Sequence, residues 1–349
     1  MSFDLQKLVR SHIADLHPYS SARDEFDPVV REVLYLDANE NPFDNGVNRY
    51  PDPQQRKLKE VIARRRGVAA NQLLLGNGSD EVLDLIFRAF CIPNQDKIIV
   101  MPPTYGMYRV LANINCISLD EVPLNNDFQL VTKDILNQIS TQTKAIFLCS
   151  PNNPSGNSFR REDILTLLKS FTGLVVIDEA YIDFTTQKSF VSDLSSHPNL
   201  IITQTLSKAC GLAGIRLGIC ISSEEIINIL NKIKPPYNIN SLTQERAISA
   251  LEEDWDTTQV QDTQLIAERK GLFAQLEEIS FVEKVYPSDA NFLLVQVDDA
   301  NKRYTQLLEN DIVVRNRSKQ VGCENCLRFS VGIPQENQIL IETLNRLSL

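Results

Sequence analysis

Three short apolar runs constrain this chain more than any other feature: Ala145 to Leu148, Val175 to Ile177 and Leu200 to Thr203. Each is too short for a helix, rich in β-branched residues and closed by polar or turn-forming residues. Runs of this kind form buried strands of a parallel sheet, whose two faces are both covered by helices. From the strand Ile98-Ile99-Val100-Met101 to about Ile221, strands alternate with helical patterns, which calls for crossover helices. Beyond about Trp255 come a helical stretch from Gln264 to Ile279 and three shorter runs, Asn291 to Val295, Ile312 to Val314 and Leu327 to Val331. The expectation is an α/β chain: a large domain with a mostly parallel central sheet flanked by helices, and a smaller α+β domain. A length of 349 residues, more than one core usually supports, agrees with two domains.

The three runs also deliver chemistry. Ligands of open α/β sheets bind at the carboxyl ends of the strands. Ser150-Pro151-Asn152-Asn153-Pro154-Ser155-Gly156 follows the first run, Asp178-Glu179-Ala180-Tyr181 closes the second, and Thr205-Leu206-Ser207-Lys208 follows the third. Asn153, Asp178 with Tyr181, and Lys208 therefore meet in one crevice. A lysine that attacks an aldehyde must be held in place, and a phosphate beside it needs hydroxyl donors and a fixed cation. Thr205, Ser207, Lys208 and, eight positions on, Arg216 supply these within one segment. Pyridoxal phosphate (PLP) carries an aldehyde and a phosphate on one ring. Asn77-Gly78-Ser79-Asp80-Glu81 opens a helix, with Ser79 placed to cap it and the N–H groups at Ser79 and Asp80 suited to an anion.

Charge and cysteine usage exclude other classes. A net charge of −10, with no basic cluster beyond Arg64-Arg65-Arg66, argues against nucleic acid and anionic membranes; the triplet reads as a solvated helix end. No apolar stretch is long enough to span a bilayer, and Met1-Ser2-Phe3-Asp4 does not begin a signal peptide, so a cytoplasmic location is expected. Seven cysteines, an odd number, fit free thiols. Cys323-Glu324-Asn325-Cys326 is a lone C-x-x-C without further metal ligands, read as two incidental small residues of a loop; no metal site is expected. A dinucleotide site is disfavoured because Glu81 stands where G-x-G-x-x-G needs its third glycine after Gly76 and Gly78. A regulator built on such a fold would want a basic DNA-binding domain, for which the chain has no room.

With these residues in hand, the chain resembles the fold-type I PLP-dependent aminotransferases, and within them the branch that acts on histidinol phosphate. The likeness runs over nearly the whole length. It rests on Leu36-Asp37-Ala38-Asn39-Glu40-Asn41-Pro42, Arg49-Tyr50-Pro51-Asp52-Pro53, Pro103-Thr104-Tyr105-Gly106-Met107-Tyr108, the three segments above, and Cys326-Leu327-Arg328-Phe329-Ser330-Val331-Gly332. The resemblance implies an N-terminal arm that shares in the small domain (1–40), a large PLP-binding domain (41–255) and a small C-terminal domain (256–349). It also implies a homodimer in which Tyr50 reaches the partner's cofactor phosphate. By the same likeness Lys208 is the nucleophile and proton carrier, and Asp178 pairs with the pyridine nitrogen. Tyr181 and Asn153 donate to the phenolic oxygen, and Tyr105 stacks on the ring. Ser79, Asp80, Thr205, Ser207 and Arg216 hold the phosphate. Arg328 and Arg315 bind substrate, with Arg317 close enough to replace Arg315, and Tyr19 and Asn39 match substrate-pocket positions. The implied reaction transfers an amino group between L-histidinol phosphate and 2-oxoglutarate, giving imidazole acetol phosphate and glutamate. Alternatives inside the family are an aromatic amino-acid aminotransferase and an amino-acid-phosphate decarboxylase.

Overall fold

The structure, a computed structural model, describes residues 3–19, 23 and 34–348. Its centre is a seven-stranded sheet made of β1 Leu73–Asn77, β2 Lys97–Val100, β3 Ser118–Glu121, β4 Thr143–Cys149, β5 Leu174–Asp178, β6 Leu200–Thr205 and β7 Leu217–Ser222. Their spatial order is β1-β7-β6-β5-β4-β2-β3. The run from β3 through β2, β4 and β5 to β6 is parallel, while β7 lies antiparallel to both β6 and β1. The apolar runs are continuous because both faces are buried. In β5, Val175 and Ile177 enter one core with Leu148 and Ile202, while Leu174 and Val176 enter the other with Phe87 and Phe147. Each such buried aliphatic side chain contributes about 1.5–3 kcal/mol.

A second, antiparallel sheet comprises β8 Val282–Val285, β9 Phe292–Val297, β10 Arg315–Asn316 and β11 Cys326–Ser330, in the order β10-β11-β9-β8. It packs against the helix Trp255–Glu277 through Leu272 and Leu276. That helix starts well before the expected Gln264. The strand expected at Ile312 to Val314 forms one step later: Ile312 N still closes onto Leu307 O, so the ladder begins only at Arg315. Tyr181, Phe184 and Ala209 share a small core with Ala290 and Phe292, which joins the two sheets beside the strand ends.

The described N-terminal helices pack on the large sheet's helical layer. Val9 and Ile13 join Phe87, Phe90 and Ile229 there, and Lys232 Nζ donates to Ala14 O at 2.5 Å. The arginine triplet forms the last turn of the helix Arg56–Arg66, with Arg64 and Arg65 exposed as expected and Arg66 enclosed. Arg66 forms a two-pronged pair with Asp183 at 2.7 and 3.0 Å, Arg65 lies over the Trp255 ring at 4.8 Å, and Arg64 meets Glu252. Among the described residues no helix is long and apolar enough to cross a membrane.

Candidate active site

Strands β4, β5 and β6 end in step. Cys149 lies opposite Asp178, and Asp178 opposite Thr203. This leaves the Asp178 carboxylate at the floor of a cavity, only 3% exposed. Tyr108 Oη donates to Oδ2 at 3.1 Å and Ala180 N to Oδ1 at 3.2 Å. Burial pushes the Asp178 carboxyl up to about 6, against the lowering effect of the two donors. Tyr108 is absent from the sequence-based site. Its signal was the three-residue spacing from Tyr105, which sets the two rings edge to face, 5.6 Å apart, where the helix Met107–Ile114 begins.

The cavity measures about 300 Å³, and every residue expected at the cofactor lines it except Tyr50. Lys208 extends into this space, with Nζ 5.6 Å from the centre of the Tyr181 ring. The walls around the amine, and then the Arg328 charge, lower its proton affinity, so a larger share is neutral and nucleophilic at a given pH. Tyr181 is buried, and burial raises its hydroxyl's proton affinity, which keeps it a donor. Asn153 Oδ1 accepts from Arg328 Nη1 at 2.5 Å, which leaves the Asn153 amide N–H groups available to the cavity. Tyr105 Oη donates to Asp80 Oδ1 at 3.0 Å and holds its ring at the cavity wall.

An anion cup closes one end. The helix Gly78–Phe90 points its N-terminus at the cavity, where its first N–H groups lack intrahelical acceptors. Ser79 sits inside this helix rather than capping it; Glu81 Oε2 takes the Asn77 N–H instead, at 2.5 Å. Gly78 has φ +74° and donates its N–H to Arg216 O at 2.8 Å. Arg216 Nη2 packs so close that a Cβ on Gly78 would lie 2.6 Å away. Thr205 and Ser207 complete the cup, their hydroxyls 3.0 Å apart. Gly218, facing it on β7, leaves no room for a Cβ against the backbone of Gly78 and Ser79. We expect Gly218→Ala to lower stability by about 3 kcal/mol, the upper end of an overpacking penalty, and to weaken cofactor binding. Urea midpoints and cofactor titration measure the two effects.

Arginines form the opposite wall. Arg315 and Arg328 are register partners on β10 and β11, and Arg317 N continues the ladder to Cys326 O at 2.8 Å. All three line the cavity. Tyr19, Asn39 and Tyr50 do not. They border separate recesses, where Tyr50, half exposed, stacks on Tyr237 at 4.6 Å. Glu40 builds that segment by accepting from Arg23, Arg49 and the Tyr50 N–H. Cys323 lies in the loop between β10 and β11, as expected, while Cys326 opens β11; both are fully buried with Phe128 and Leu294. Among the described residues no group of three or more His, Cys, Asp or Glu could hold a metal ion.

The donor set fits a ring with an aldehyde, a phosphate and a basic nitrogen. It offers an amine of lowered proton affinity, a cup with a helix N-terminus and an arginine that has no acidic partner among the described residues, and a buried carboxyl whose own charge is costly until a cation joins it. Residues 32–344 match the family model "Aminotransferase class I and II". A histidinol-phosphate aminotransferase from Flavobacterium johnsoniae is 57% identical over 99% of both chains. One from Christiangramia forsetii is 59% identical over 99% of this chain and 98% of its own. The crystal structure of the Clostridium acetobutylicum histidinol-phosphate aminotransferase superimposes with a TM-score of 0.79 at 26% identity, covering 86% of this chain and 91% of that one.

Proposed function

This chain belongs to the class I and II aminotransferases, and from that premise we infer that it transfers an amino group between L-histidinol phosphate and 2-oxoglutarate. It is a PLP-dependent transaminase of histidine biosynthesis, and the products are imidazole acetol phosphate and glutamate. The observation that carries the site assignment is one cavity holding the Lys208 amine, the buried Asp178 carboxyl and an arginine wall with no acidic partner among the described residues.

When bound, PLP supplies an aldehyde for the amine and a ring that withdraws electrons from the amine-bearing carbon. The protein's residues do the rest. Lys208 Nζ, as the neutral amine, would hold the cofactor's aldehyde end and would then carry the proton of that carbon. Asp178 presents a carboxylate to the ring nitrogen, held in direction by Tyr108 and Ala180 N. Tyr181 Oη and Asn153 Nδ2 would donate to the phenolic oxygen, and Tyr105 would lie against the ring. The N-terminus of Gly78–Phe90, with Ser79, Asp80, Thr205, Ser207 and Arg216, takes the cofactor phosphate. Arg328, oriented by Asn153, and Arg315 receive the anionic group of the substrate.

Tyr50 lies outside its own chain's cavity, which supports a homodimer in which it reaches the partner's, with Tyr19 and Asn39 near the same boundary. The division at 41–255 and 256–349 and the cytoplasmic location belong to the same reading, with the seven thiols all free. The test is direct. Purified protein with PLP, histidinol phosphate and 2-oxoglutarate should form glutamate and imidazole acetol phosphate. Release of carbon dioxide, or turnover of phenylalanine and tyrosine but not histidinol phosphate, would overturn the substrate assignment.

A further inference from the structure

We propose that Arg317 is a specificity-determining residue: a third guanidinium, beyond Arg315 and Arg328, that selects a dianionic phosphate ester over a carboxylate at the substrate end of the cavity. The proposal rests on the histidinol phosphate reading and extends it.

The geometry follows from strand register. Arg315 lies directly opposite Arg328, so both side chains leave the same face of the ribbon. Arg317 is two residues beyond Arg315 and therefore shares that face. Its N–H bonds to Cys326 O at 2.8 Å, so the alternation persists to this position. Three like charges on one face repel one another, and pairs opposite each other in a ladder are destabilising. Three enclosed arginines elsewhere pair with acids, Arg66 with Asp183, Arg303 with Asp298 and Arg23 with Glu40, and buried Arg269 donates to the carbonyls of Phe184 and Ala290. Among the described residues none of the three cavity arginines forms an ion pair, and Nε of both Arg317 and Arg328 is buried without a hydrogen-bond partner. The repulsion is thus left for a ligand to offset.

Stoichiometry then separates ligand classes. A carboxylate has one charge and two oxygens, which the facing pair Arg315 and Arg328 can satisfy. A phosphate monoester carries about two charges and three terminal oxygens, and needs a further donor fork. Arg317 supplies it from the more enclosed side: it is partly buried, whereas Arg315 is exposed. Its N–H donates to Cys326 O and its carbonyl accepts from Gln320 N, both at 2.8 Å, which fixes its backbone at the start of the turn between β10 and β11.

The test compares wild type, Arg317→Gln and Arg317→Lys as PLP-loaded enzymes, with histidinol phosphate or phenylalanine as amino donor. Calorimetric binding of inorganic phosphate serves as a readout independent of turnover. For Arg317→Gln, KM for histidinol phosphate should rise about 10-fold or more, the worth of one charge-assisted hydrogen bond, with kcat within about threefold. Phosphate affinity should fall by a similar factor, while kcat/KM for phenylalanine stays within about threefold. Arg317→Lys, which keeps the charge but loses the fork, should recover part of the loss and guards against a folding defect in the glutamine variant. Equal losses with both donors, or unchanged KM and phosphate affinity, would overturn the proposal. If wild type fails to use histidinol phosphate, the functional reading falls, and phosphate affinity alone decides the role of Arg317.

Discussion

Lys208→Ala lowers turnover by roughly 10⁴-fold or more, because one substitution removes both the nucleophile and the group that carries the proton. The fold should tolerate the change. Lys208 projects into open cavity, where burial, Arg328 and Arg216 disfavour its charge against the opposing pull of Asp178 and Asp80. Removing it relieves the burial of a charge and, among the described residues, breaks no side-chain hydrogen bond. The cofactor should still bind, since the cup of Gly78–Phe90, Ser207 and Arg216 is untouched and continues to offer N–H, hydroxyl and guanidinium donors. Borohydride should then no longer fix the cofactor to the chain, although dialysis leaves it in place. A variant that keeps turnover within tenfold of wild type would show that another group is the nucleophile.

Much of this site was legible because the strands announce their own ends. Val175 to Ile177 is apolar on both faces and stops at Asp178, so the carboxylate has to emerge at the sheet edge, and neighbouring runs emerge beside it. Sequence distance hid what reaches that edge from elsewhere. Tyr108 is seventy positions from Asp178 and comes from a helix on the flank, so no local pattern linked them. The arginine wall was visible as residue types, but its order was not. Only the register, with Arg315 facing Arg328, puts Arg317 on the same side. The strand signal at Ile312 to Val314 misled because Ile312 N closes onto Leu307 O and Ile312 and Val314 pack into the small-domain core, while Val313 is exposed. Ser79 misled for a similar reason: the helix starts at Gly78, whose φ is positive, with Asn77 as the cap two residues before Ser79, which moves Ser79 inside it. Tyr19, Asn39 and Tyr50 match motifs, yet the chain's own fold keeps them away from the cavity. A motif records what a residue meets, and a second copy of the chain can be what it meets.

Asp178→Asn should move activity and stability in opposite directions. The carboxyl is buried, and burial is the largest influence on it, raising it from 3.8 to about 6 in the cofactor-free protein. The sign follows from proton binding. The folded state holds this proton more tightly than the unfolded one, so it gains stability below about pH 4. That gain is lost as pH rises through the folded value near 6. Two units correspond to about 3 kcal/mol, so above pH 6 the ionised carboxylate strains the empty fold by about that amount. Asparagine has no proton to lose. Cofactor-free Asp178→Asn should therefore melt higher than wild type at pH 7.5, and the difference should vanish towards pH 4. Loaded with PLP, the order should reverse, because only the carboxylate gains a cationic partner at the ring nitrogen. Turnover should fall about 10²- to 10⁴-fold, the range for losing a preorganised electrostatic or proton-transfer partner. Thermal melts of both proteins at pH 4, 6 and 7.5, with and without cofactor, read these effects separately. If the cofactor-free variant is less stable than wild type at every pH, the Asp178 carboxylate is not held at a cost, and its place at the cavity floor is structural rather than poised for a ring cation.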